Sequence, residues 1–174
     1  MPLDSEIKKK LSAVLDEYDK AVANRQKAVE KSKSEHEKFI EEFKRLRTEV
    51  IRPVMEEFGV ELRQRGHEYE IEERDETHDY EGRTLSAHIT MTVYPKDIVR
   101  NEFTKRFSDT PYVWFHASTY EKKIHVGSSN IMTGRGGSGG PTGEYEITQV
   151  NHNFVEQQVA RGLERIFGPT WGSN

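Results

Sequence analysis

From Ser5 to about Gly66 the apolar positions advance by threes and fours: Ile7, Leu11, Val14, Tyr18, Val22, Val29, Phe39, Phe43, Leu46 and Val50. This spacing predicts one very long amphipathic helix, and the 3.5-residue repeat from Tyr18 to Val50 is the kind that pairs helices side by side. Arg25, Ser32 and His36 interrupt the seam, which marks a weakly pairing middle. The steps 14, 18, 22 add a stutter that locally unwinds a supercoil. Asp4 or Ser5 suits an N-cap, with Glu6 in the first turn. A helix from Ser5 to Pro53 is about 70 Å long, more than one small domain covers. A partner helix is therefore expected, from a second copy in a homodimer or from another coiled-coil protein, with Tyr18, Val22, Val29, Phe39, Phe43, Leu46 and Val50 as the seam. The alternative is a hairpin with arms at residues 5–24 and 36–58. The absence of Gly and Pro between Leu3 and Arg52 favours the unbroken rod.

Pro53 predicts a kink, because it lacks a backbone donor and its ring presses on the carbonyl four residues back. Val54, Met55, Phe58 and Leu62 continue the helical spacing to a stop at Gly66, although Gly59 weakens this piece. From His67 the period changes to two. Residues 67–74 read as a charged edge strand with Tyr69 and Ile71 on one face. Residues 84–94 read as a strand with Leu85, Ala87, Ile89, Met91 and Val93 facing the core. Residues 96–111 are ambiguous, with Ile98, Val99, Phe103 and Phe107 in a helical turn or a packed loop. Residues 112–118 and 123–129 form a hairpin, registered with Tyr120 opposite Lys123, that places Val113, Phe115, Ala117, Ile124 and Val126 inward. Residues 133–143, with six glycines, read as a flexible loop, and 144–150 as a last strand. Asn151 caps a helix to Phe167 whose inner stripe includes Val159, Leu163 and Ile166. The fold class is therefore α+β: a long N-terminal helix (1–66), then a head (67–174) with an antiparallel sheet of about five strands covered by a C-terminal helix.

Composition narrows the functional classes. The net charge of −4 divides unevenly: residues 1–66 carry 15 basic against 14 acidic side chains, and residues 67–174 carry 11 against 16. Without a basic field, and with an acidic cluster from Glu68 to Glu81, nucleic acid is not an expected partner. There is no cysteine, which removes disulfides, thiol nucleophiles and thiolate metal sites. The mean hydropathy is −0.86. No apolar run of membrane-spanning length and no apolar leader occur, so a cytoplasmic protein without membrane contact is expected.

Candidate chemistry is sparse. The Gly-rich stretch lacks the lysine and following helix of a phosphate loop, and no calcium-loop spacing occurs in the acidic stretch. No nucleophile elbow stands in a strand-to-helix setting. The seven histidines include no metal-binding local spacing, so neither a metal nor a cofactor nor a catalytic residue is assigned. His88, His116 and His125 share the non-core sheet face with Trp114, where a large aromatic calls for some covering group. Arg135 is the one cation in the Gly-rich stretch. The expected function is a non-enzymatic oligomerisation or protein-interaction module. The competing expectation is a small ligand-binding or enzymatic domain that uses the His/Trp face, with residues 133–143 as its lid.

Overall fold

The computed structural model describes residues 5–98, 110–132 and 136–168. Helix α1 (Ser5–Leu46) runs unbroken, with no turn between Asn24 and Glu37. A five-residue π-helical turn (Arg47–Ile51) follows and leads directly into helix α2 (Arg52–Gln64). The π turn answers the steric demand of Pro53. Its wider coil, in which the Arg52 N–H donates to the Arg47 carbonyl five residues back, precedes the proline, whose ring would otherwise press on Glu49. The added residue per turn also moves the inward position. Ile51 is fully buried, whereas Val50 is only partly so.

The chain forms two compact units, residues 1–38 and 39–174. The change of sequence period suggested a boundary at Gly66, but the packing draws this one inside α1. Phe39, Phe43 and Leu46, read above as the end of a pairing seam, lie in the core of the second unit with Ile51, Val54, Met55 and Leu62. Once a sheet face is within reach, large apolar side chains bury there and are no longer offered to a partner.

The remaining elements are strands β1 (Glu68–Arg74), β2 (Thr77–His78), β3 (Thr84–Leu85), β4 (His88–Tyr94), β5 (Tyr112–Ser118), β6 (Lys123–Ser129) and β7 (Gly139–Glu146), a 3₁₀ turn (Ile147–Gln149) and helix α3 (His152–Phe167). Strands β1, β4, β5, β6 and β7 form one antiparallel sheet in that order, and β2 pairs with β3 in a separate small ribbon. The fold is α+β. Helix α2 packs on β1 and α3, and α3 packs on β5 and β6, so the helices gather on one face of the sheet. Ile89, Met91, Val93, Phe115, Ile124, Val126, Val159, Leu163 and Ile166 are all buried.

Several local expectations resolve in instructive ways. Gly66, at φ +85°, ends α2 in a Schellman motif: its N–H donates to the Arg63 carbonyl and that of His67 to the Leu62 carbonyl. Gly59 lies within α2, where the Tyr69 ring occupies the space a β-carbon would need. The hairpin pairs Ser118 with Lys123, two residues from the expected register, and an even shift leaves every side chain on its expected face. Leu85, expected in the core, is exposed in β3. Residues 99–109, including Val99, Phe103 and Phe107, lie outside the described residues.

Two expectations are corrected. Residues 139–143 are not a free loop or lid, since Gly139–Glu146 pairs along β6 as the second edge strand, with a bulge at Val126/Gly127. Residues 147–150 are correspondingly not strand, but a 3₁₀ turn followed by Val150. The acidic stretch makes specific contacts with the π turn. Buried Arg47 reaches Asp75 Oδ1 at 2.7 Å, the Arg74 carbonyl at 3.0 Å and Glu73 Oε2 at 3.4 Å, and Arg52 reaches Glu73 at 2.9 Å. These contacts fasten the π turn to the end of β1.

Candidate functional site

Alternation along β1, β4, β5 and the start of β6 turns one face of the sheet toward α2 and α3, and among the described residues no helix packs on the other. On that second face the pairing registers align Arg74, His88, His116, His125 and Glu144 in one row across all five strands. The neighbouring row runs Glu72, Thr90, Trp114, Gly127 and Pro141. Trp114 lies flat on Gly127, where a β-carbon would collide with the indole and stand 2.7 Å from the Gly140 carbonyl oxygen. The indole stacks on His116 at 5.1 Å and 16°, and His116 meets His125 at 5.0 Å and 40°. A groove of about 400 Å³ opens beside them, lined by Arg74, Ser86, His88, Thr90, Tyr112 and Trp114 among others.

Burial holds the His116 imidazole below the usual histidine range, and the neighbouring His125 and His88 push it further down while Glu121 opposes them. His116 is thus biased toward its neutral form. His125 Nε2 lies 2.5 Å from Glu121 Oε2, an ion-pair distance without hydrogen-bond alignment, and 3.7 Å from Glu144 Oε2. Ser118 Oγ donates to Glu121 at 3.1 Å, and Lys123 Nζ is 3.4 Å from Glu144. Glu121, His125 and Glu144 bring three potential ligand atoms within 4.8 Å of one another, as do Glu57, His152 and Glu156. Lys123 and Ser118 already partner the carboxylates of the first trio, and His152 Nε2 lies 3.4 Å from Glu156 in the second. Among the described residues no hydroxyl or carboxylate stands at hydrogen-bonding distance from the His116 ring. The face offers stacked rings flanked by polar groups.

The expected site residues therefore divide. His88, Trp114, His116 and His125 come together on one face, while Arg135 lies outside the described residues. Of the expected seam, Tyr18 and Val29 are exposed and Val22 is half-buried. Ile7, Leu11, Val14 and Leu15 are exposed with them.

A second concavity escaped the sequence reading. It opens between α3 and the β6–β7 edge, holds about 390 Å³, and is lined by Ser128, Thr142, Tyr145, Gln158, Arg161 and Arg165 among others. Spacing of three and four along α3 was the available signal, since Gln158, Arg161 and Arg165 follow one another at helical steps. It reads equally well as a solvated flank.

No protein family, curated protein or solved structure matches this chain. Among the described residues no helix is long and apolar enough to cross a membrane.

Proposed function

We propose that this protein is a self-associating interaction module in which residues 5–38 of α1 pair with the same segment of a second copy. The observation that carries the reading is the exposure of Ile7 (54%), Leu11 (48%), Val14 (62%), Tyr18 (60%) and Val29 (67%) at coiled-coil spacing. A second copy fits the charge. Residues 1–38 carry nine basic and eight acidic side chains, so like segments do not repel through net charge. Arg25, Ser32 and His36 limit the registers that pair well, as polar seam positions do elsewhere. Light scattering of the full chain across concentrations tests this. The expected mass is about twice 20.2 kDa, falling to one copy in a V14E/Y18E/V29E variant whose head unfolds at the wild-type urea midpoint. A concentration-independent monomer overturns the reading.

A second reading, a ligand-binding or enzymatic role for the sheet face, draws support from the stacked Trp114–His116 pair beside its groove. Stacked rings flanked by a guanidinium and hydroxyls suit a planar ligand.

A further inference from the structure

The concavity beneath α3 has an unusual charge inventory. Arg165 is held in place by neutral partners only: its Nη1 donates to Ser128 Oγ at 3.0 Å, its Nη2 to Ser138 Oγ at 3.2 Å, and its backbone carbonyl accepts from Asn130 Nδ2 at 3.2 Å. Arg161, one helical turn earlier on the same lining, forms no ion pair among the described residues. Two guanidinium charges thus face one cavity without a carboxylate on either. By contrast, among the described residues Arg45, Arg47, Arg52, Arg65, Arg74 and Arg83 each contact an acid within 3.5 Å.

Gln158 supplies an independent observation. It is 7% exposed, lines the cavity, and makes no side-chain hydrogen bond among the described residues. Its amide atoms have no protein partner among the described residues and stay open to the cavity, where a ligand oxygen would bond them. Ser128, itself 2% exposed, and Thr142 add hydroxyls, while Val126 and Tyr145 supply apolar wall. Glu164 stands on the same lining and pairs with neither arginine among the described residues. It disfavours a bare polyanion and favours a molecule that carries a donor beyond its anionic head. The volume falls in the usual range for small-molecule sites.

We propose that the cavity between α3 and the β6–β7 edge binds a small hydroxylated oxyanion, its phosphate or carboxylate head held by Arg161, Arg165 and Gln158. Planar forked donors recognise such heads with two parallel hydrogen bonds. This site is separate from the helical seam and stands whether or not the chain self-associates.

The test is titration of the full chain with glycerol 3-phosphate, glycerate and inorganic phosphate. Readouts are calorimetry and the Gln158 side-chain amide resonance, with sodium chloride at matched ionic strength as the control. Saturable binding of a phosphate or a carboxylate probe supports the proposal and assigns the head group, provided that R161Q weakens it by at least about tenfold. R161Q alters an exposed side chain without ion-pair partners, so the fold is retained. Q158L keeps the buried volume and is expected to weaken the same binding. No saturable response to any of the three probes, or binding unchanged in R161Q, overturns the proposal.

Discussion

His116 illustrates how a single residue's surroundings become a measurable property. Its folded-state affinity for a proton is lowered, first by burial and then by His125 and His88. The unfolded chain titrates near the reference value of about 6.5. As pH falls below that value the unfolded state takes up a proton that the folded state refuses, so stability declines until the lower folded-state value is passed. Replacing His116 by Gln is expected to flatten the fall in urea midpoint between pH 7.5 and 5.5. His67, also lowered by burial and by Lys96, leaves a residual slope. An unchanged slope in the variant would exclude His116 as the source. The parity that places this histidine on the face opposite the core was legible from alternation in 88–94 and 112–118. Its stacking on Trp114 was not, because that depends on the bare Cα of Gly127 in a different strand.

At the scale of elements, the junction of α1, the π turn and β1 holds the least expected chemistry. Arg47 is buried and its guanidinium is shared among Asp75, Glu73 and the Arg74 carbonyl. Removing it leaves Glu73 with Arg52 and Asp75 with Lys44, so the loss is smaller than for an isolated buried pair. Arg47→Ala is expected to lower the unfolding free energy by about 1.5–3 kcal/mol, the range for hydrogen bonds to charged groups, measured by urea denaturation. A loss under about 0.5 kcal/mol would mean that the cluster behaves as an exposed surface pair. Helix α3 was readable at both ends: Asn151 Oδ1 accepts from the Phe154 N–H at 3.0 Å, and the stripe from Val155 to Ile166 is buried. Strand β7 was readable only in its last residues, 144–146, since the glycine-rich segment before them carries no alternation and becomes a strand only through the unpaired edge of β6.

At the scale of the whole molecule, residues 39–174 possess their own core, built from α1's last turns, α2, the sheet and α3. A fragment of residues 39–174 is therefore expected to fold cooperatively and to run as a monomer in light scattering, while the full chain associates. A fragment starting after Arg52 would discard Phe39, Phe43, Leu46 and Ile51 and is expected to lose cooperative unfolding. Retention of self-association by the 39–174 fragment would assign the interface to the head and not to the N-terminal segment.

Local information determined the long helix, its disturbance before Pro53, the inward and outward parity of β1 and of β4 through β6, and the caps of α2 and α3. Each follows from periodicity or from backbone chemistry within a few residues. Tertiary structure decided which copy of an apolar pattern is buried at home. The same spacing covers Val14 and Phe43, yet Phe43 joins the core of residues 39–174 and is fully buried while Val14 stays exposed. It also decided that residues 139–143 pair as an edge, that Arg47 meets the acids at the end of β1, and that Gln158, Arg161 and Arg165 line one cavity with residues of β6 and β7. These depend on contacts between residues far apart in the chain, and no local pattern encodes which surfaces will meet.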